Sequence, residues 1–223
     1  MEPESLLARL APLDTPAICD AEKSLSLGLG IVDPSIRPLV TGLKMVGRAH
    51  TVRCHNDFLA VLHGLQQAKT GDVLVIDSQN SDLAVSGSLF PTEALRKGLA
   101  GIINDGPCRD TAVVRTLGLP YYARSVHCRA GSTTTLGETG IPVHCGGVTV
   151  HPGDIVFGDD DGIVIASASL MAELLPVAER IQDTERQLVD QMAAGRSLTD
   201  MMNLDEHLQA LAEGHDTTLS FCP

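Results

Sequence analysis

Aromatic side chains are scarce in this chain of 223 residues, which holds no Trp, two Tyr and four Phe. That leaves too few rings for the base-stacking platforms of single-strand nucleic-acid binders or for the anchors of a hot-spot protein interface. Basic side chains are also few. Sixteen Lys and Arg against 28 Asp and Glu give a formal charge of −12, the wrong sign for neutralising phosphates along DNA or RNA. No run of 18 apolar residues could cross a bilayer, and the start, Met1-Glu2-Pro3-Glu4, lacks the basic and apolar regions of a secretory leader. A cytoplasmic protein without nucleic-acid or membrane partners is expected. Neither a disulfide framework nor a structural zinc site is suggested, because the six cysteines are scattered and no CxxC occurs. The dipeptides His127-Cys128 and His144-Cys145 could converge on a soft metal, but neighbours on a strand point to opposite faces, which disfavours such a site.

What is present is a chain 43% hydrophobic, enough for a substantial core. The acidity is uneven. Residues 1 to 150 carry 14 acidic and 13 basic side chains, whereas residues 151 to 223 carry 14 acidic and only Arg180, Arg186 and Arg196 as basic ones. Such a block reads first as the solvated face of surface helices.

Along the chain, Leu6, Leu7 and Leu10 have helical spacing, and Asp14-Thr15 can cap a second helix toward Ala21. A strand over Met45 to Val52, a helix over Phe58 to Ala68 and a buried strand in Gly71 to Asp77 follow. Then come a helix from Leu89 to Leu99, a short strand Gly101 to Ile103, a polar turn Asn104 to Asp110, a helix Thr111 to Leu117 and a strand Tyr121 to Ala123. This alternation predicts an α/β core. Gly131 to Gly147 reads as loops and short strands. Pro152-Gly153-Asp154 echoes the earlier Gly-Asp strand opening, and the strand after it pairs with Gly162 to Ile165 in a hairpin. A long helical pattern then runs from Leu170 to about Ala194, ended by Gly195, with Pro176 as a potential kink. One domain over 1–223, with a projecting helical arm from about 167 to 223, is the simplest description.

The segment Asn104-Asp105-Gly106-Pro107-Cys108-Arg109-Asp110 stands where α/β proteins place ligand groups, between a strand end and a helix. Arg109 offers a planar fork for a carboxylate and Asp110 a ligand for a hard divalent cation; together they suit a 2-oxo acid. The same residues equally describe a helix cap at Asp110 beside a surface ion pair. Gly87-Ser88-Leu89-Phe90 precedes a helix whose first N–H groups could receive an anion, or Ser88 could simply cap that helix.

Read as Gly-x-Leu-Phe-x-Thr-x-Ala-x-x-x-Gly-x-x-Gly-Ile-Ile-x-Asp-Gly-x-x-Arg-Asp, the stretch Gly87 to Asp110 resembles the RraA-like family. That family includes the class II 4-hydroxy-4-methyl-2-oxoglutarate / 4-carboxy-4-hydroxy-2-oxoadipate aldolases. The likeness extends to Gly47 to Val52, Gly71 to Asp77, Leu119-Pro120 with Ala123-Arg124, Pro142-Val143 with Gly146 to Val148, and Pro152 to Asp154 with Asp160 to Gly162. It implies an α/β/β/α sandwich, related to swivelling phosphohistidine-type domains, in a homotrimer or a hexamer with sites between subunits. The implied activity is metal-dependent cleavage of a 4-hydroxy-2-oxo acid with Mg²⁺ or Mn²⁺, releasing pyruvate through an enolate, with oxaloacetate decarboxylation from the same parts. Carried over, Asp110 matches the direct metal ligand, Arg109 the group that binds substrate and steadies the enolate, and the Gly87, Ser88, Leu89 and Phe90 backbone the carboxylate cradle. Glu185 is matched to an acidic residue of a neighbouring subunit's arm that acts on the metal through water.

One departure concerns Ser88, which stands where the aldolases often carry Asp or Glu; a neutral hydroxyl is no general base near neutral pH. By position Glu93 could substitute in part, although an ordinary exposed helical Glu is the simpler reading. A Schiff-base aldolase would need one of Lys23, Lys44, Lys69 and Lys97, none of which falls in these segments. The competing class is the non-catalytic regulator, since some family members bind an RNA-processing nuclease.

Overall fold

The computed structural model describes residues 3–221; Cys222 lies outside the described residues. The chain begins with α1 (Pro3–Leu10) and α2 (Thr15–Leu25), the latter capped as expected by Asp14, whose carboxylate accepts the Ala17 N–H at 2.9 Å. Two short strands, β1 (Gly30–Ile31) and β2 (Arg37–Pro38), lead to the long β3 (Met45–Arg53). Three strand-helix units follow: α3 (Leu59–Gln67) into β4 (Asp72–Asp77), α4 (Leu89–Lys97) into β5 (Gly101–Cys108), and the short α5 (Thr111–Val114) into β6 (Tyr121–Val126). The region expected to be loops and short strands holds β7 (Glu138–Thr139), β8 (Val143–Cys145) and β9 (Val148–Val150). The hairpin β10 (Ile155–Gly158) and β11 (Ile163–Ala166) precedes α6 (Ala168–Ala193), a 3₁₀ turn over Leu198–Met201 and α7 (Leu204–Ala212).

One mixed sheet has the order β1-β11-β10-β3-β4-β5-β6-β2, with β7 added to β3. The run β3 to β6 is parallel and its flanks are antiparallel, because each parallel step needs a helical crossover and the flanks do not. The sheet curls back on itself. Tyr122 on β6 donates its hydroxyl proton to the carbonyl of Asp159, just past β10 and with three strands between them, at 2.9 Å.

Alternation along β3 shows how three cores share one sheet. On one face Val52 packs under α3 and α4, and Val46 packs under α1, α2 and α6; on the other, Met45 and Ala49 join a core closed by the β8–β9 hairpin. The result is helices outside, curled sheet inside: the expected α/β/β/α arrangement. The Gly-Asp echo is real at the level of hydrogen bonds. Asp72 and Asp154 each accept the N–H three residues back, from Lys69 and His151 at 2.8 Å each, and each donates its own N–H to that residue's carbonyl.

Two sequence expectations need correction. The polar turn over 104–110 is strand through Cys108: β5 pairs with β4 as far as Asp105 and with β6 as far as Cys108, and takes up Pro107 in a bulge between Asn104 and Pro107. The arm, expected to project from about 167, starts as core. Met171, Leu174, Leu175 and Ala178 on α6 are buried against α1 and α2, and the helix runs uninterrupted through Pro176. Exposure of apolar groups rises only further along, at Val189 and Met192. Among the described residues no helix is long and apolar enough to cross a membrane.

Candidate active site

The end of β4 and the bulged end of β5 place two loops side by side. Gly106 packs its Cα against Ser78: a Cβ there would lie 2.0 Å from the Ser78 hydroxyl oxygen, which donates to the Asp105 carbonyl. Glycine is required by this approach. The Asp105 carboxylate turns to the other face, where it accepts from the Arg124 guanidinium and from the Gly146 N–H at 2.7 Å and so pins the β8–β9 turn. Asp105 is therefore structural, which leaves Arg109 and Asp110 as the partly exposed charged side chains of the segment.

The loop after β4 is held from α3's side. Asn56 accepts at one side-chain oxygen from the Ser81 hydroxyl and from the Asp82 and Leu83 N–H groups. Beyond it, Ser86 pairs with Cys108 and accepts the Arg109 N–H at 3.0 Å. Gly87 is thereby pressed against the next two residues of β5's loop: a Cβ on it would stand 2.6 Å from Asp110 Oδ2 and 3.0 Å from Arg109 Cγ.

Asp110 is left-handed, with φ of 57°, and its side chain makes no cap bond to α5. Its Oδ2 instead accepts the Ser88 N–H at 3.1 Å and the Ser88 hydroxyl at 3.3 Å, and Arg109 Nε lies 3.7 Å from the same oxygen. The capping alternative is thus excluded, and so is Ser88 as a cap of α4, for its side chain makes no cap bond. Among the described residues Oδ1 of Asp110 accepts no hydrogen bond. The two charged side chains are 42% and 41% exposed, open enough for a small ligand. Of the expected amide cradle, the Ser88 N–H is used by Asp110 and the Phe90 N–H by the Gly87 carbonyl; the Leu89 N–H has no acceptor among the described residues.

Beside Gly87 and Arg109 opens a cavity of about 420 Å³ between α3 and α4, floored by Ala84, Val85 and Ser86. Phe58 and Phe90 meet edge-to-face across it, with ring centres 5.8 Å apart. Sequence reasoning missed the α3 wall, Phe58, Leu62, Leu65 and Gln66; the only signal was the apolar stripe of a helix whose neighbour is set by the crossover topology.

Glu185 stands elsewhere in its own chain, on α6 beside Asp20, Leu188 and Phe221. Burial, and then Asp14 and Asp20, raise its pKa. Glu93 is tied to Arg96 by two bonds of 2.7 Å, so it is no free partner for Ser88. No lysine lines the cavity, and Lys97 donates to the Leu65 and Gln66 carbonyls at the end of α3. The Cys108 thiol, under the site, is pushed up to about 11 by burial and is no nucleophile. Among the described residues the cysteines are unpaired, and no group of three His, Cys, Asp or Glu side chains forms a metal cage.

A family model described as RraA-like, Aldolase/RraA, matches residues 15–165, which include every site residue above except Glu185. A relative from Halalkalibacterium halodurans, provisionally named 4-hydroxy-4-methyl-2-oxoglutarate aldolase, is 33% identical over 181 residues, 78% of this chain and 86% of its own. An uncharacterized protein from Pseudomonas syringae pv. tomato superimposes with a TM-score of 0.75 at 28% identity, covering 88% of this chain and 96% of that one. A Streptomyces coelicolor structure, described as an unusual member of the RNase ES inhibitor RraA protein family, does so with 0.70 at 27%, covering 86% and 96%. By the span of the model and the identity of its relatives, the chain belongs to the RraA-like family.

Proposed function

We propose that this protein is a divalent-metal-dependent lyase that cleaves 4-hydroxy-2-oxo acids to pyruvate, with oxaloacetate decarboxylation from the same site. The observation that carries the reading is the arrangement of Asp110: one carboxylate oxygen fixed by Ser88, the other without a partner among the described residues, and Arg109 alongside. A single oriented carboxylate fits Mg²⁺ or Mn²⁺, which keep most of their ligand positions for water and substrate. When bound, such a cation supplies Lewis-acid polarisation of the substrate's carboxylate and keto oxygens.

Arg109 grips the 2-oxo acid with its planar fork, and the free Leu89 N–H at the start of α4 adds a donor where the helix dipole favours an anion. In the reaction a water takes the 4-hydroxyl proton and the C3–C4 bond breaks. Its electron pair stays on C3 as the pyruvate enolate, C4 leaves as a carbonyl compound, and C3 then takes a proton from water. The guanidinium of Arg109 lies where the enolate charge develops, and fixed positive groups are most effective there. Ser88 holds Asp110 in place and leaves the proton transfer to solvent, so no general base is assigned to this segment. Assembly as a trimer or hexamer, with Glu185 of a neighbour completing the site, belongs to the same proposal.

A pyruvate-release assay with 4-hydroxy-2-oxo acids and oxaloacetate, with Mg²⁺ or Mn²⁺ present, tests it: no turnover of any substrate overturns the lyase reading. Asp110→Ala with full activity overturns the metal assignment. The regulator reading is supported by the likeness to the Streptomyces coelicolor structure, and it is favoured if turnover is absent while an RNA-processing nuclease is inhibited.

A further inference from the structure

The cavity beside Arg109 has a chemistry of its own. Its walls are Phe58, Leu62 and Leu65 from α3 and Leu89 and Phe90 from α4, with Ala84, Val85 and Ala130 beneath. Its size suits the distal part of a small substrate. Arg109 is the single cationic side chain among its lining residues, and the one carboxylate there, Glu93, is ion-paired to Arg96.

A substrate whose head is gripped at Arg109 and Leu89 would send its far end into this cavity, because Gly87, Leu89, Phe90 and Arg109 belong to both. A second carboxylate would enter an apolar chamber with no cation left to pair it and with Glu93 at its wall. A charge placed there loses its hydration without compensation. An alkyl or aryl group would displace water from matching surface.

We propose that the cavity between α3 and α4 binds the distal half of the substrate, and that the preferred substrates are 4-hydroxy-2-oxo acids with an uncharged, apolar distal group rather than a second carboxylate. The inference rests on the pyruvyl head binding at Arg109 and Asp110 as proposed above.

The test compares two aldols with the same pyruvyl head, one ending in a carboxylate and one in a phenyl or branched alkyl group, using the full chain with Mg²⁺ or Mn²⁺. Exchange of pyruvate methyl protons with deuterated water, followed by NMR, reports the head-group site alone. The expected result is exchange together with a kcat/KM at least about tenfold higher for the apolar aldol, the discrimination an apolar pocket can supply. Exchange with equal or inverted preference overturns this inference and leaves the head-group reading standing. Loss of both exchange and turnover overturns the two together. Leu62→Arg places a cation at a half-exposed position of the α3 wall and is expected to shift the ratio toward the dicarboxylate by about tenfold or more. Because both substrates are read on one preparation, partial unfolding does not move that ratio. An unchanged ratio overturns the assignment of this cavity.

Discussion

The Asp110 carboxylate accepts the backbone N–H of Ser88 at 3.1 Å, across a sequence separation of 22 residues. A main-chain donor needs no particular side chain at position 88. Ser88→Ala should therefore cost little, removing only the hydroxyl contact at 3.3 Å. The expected drop in kcat/KM is about two- to tenfold, the worth of one ordinary hydrogen bond. Ser88→Pro, which deletes the N–H itself, should lower it further. Steady-state kinetics on the two variants check the order, and an Ala variant as damaged as the Pro variant would contradict it.

Gly87→Ala is the sharper probe. Its Cβ would stand 2.6 Å from Asp110 Oδ2 and 3.0 Å from Arg109 Cγ, so both charged groups must shift. Displacement of reacting groups by an ångström costs roughly 100-fold in rate. Activity should fall by about that factor while the thermal midpoint moves by only a few degrees, since both displaced side chains are partly exposed. Calorimetry beside kinetics distinguishes this from unfolding.

Arg109→Lys keeps the charge and loses the fork. Charge-assisted bonds are worth about 1.5–3 kcal/mol each, so kcat/KM is expected to fall roughly 10- to 100-fold. Pyruvate affinity, measured by protection in a thermal-shift titration, should weaken in parallel. Undiminished affinity would remove Arg109 from the anion site.

Asp57 predicts a pH dependence of stability. Burial raises its pKa, but the Leu59, Thr134 and Thr135 N–H groups and the Ser132 hydroxyl outweigh that and hold it down at about 2. A carboxyl depressed in the folded state stabilises it above the unfolded value of about 4, and that contribution is lost as pH falls through about 2. The gap in Tm between wild type and Asp57→Asn should thus be full at pH 6 and shrink between about pH 4 and pH 2. A gap constant across that window would refute the assignment.

Much of this architecture was legible because it follows from local chemistry. Asp14 caps α2, the run Asp72 to Asp77 is a buried strand, and Gly195 ends α6 in positive φ. The polar residues of segment 104–108 suggest a turn, but tertiary pairing to β4 and β6 overrides that preference, with Asn104 buried and the bulge absorbing Pro107. The start of α6 reads as an arm in the sequence because periodicity marks an apolar stripe without saying what it faces, here α1 and α2. At the site, Arg109 and Asp110 stood out by residue type and position. The Ser88 contact and the α3 wall did not, since both depend on a crossover that joins distant segments.

The curl of the sheet gives the scarce aromatics a use. Tyr121 and Tyr122 are adjacent on β6 and both buried, yet Tyr121 belongs to the core under α3 and α4 while Tyr122 lies in the core closed by β8 and β9 and bonds across to Asp159. With no Trp to mask them, the near-ultraviolet signal of two neighbouring phenols becomes an intrinsic meter of assembly. A Tyr121→Phe protein leaves the Tyr122 chromophore to report closure of the sheet, and a Tyr122→Phe protein leaves Tyr121 to report docking of the helical layer that carries the site.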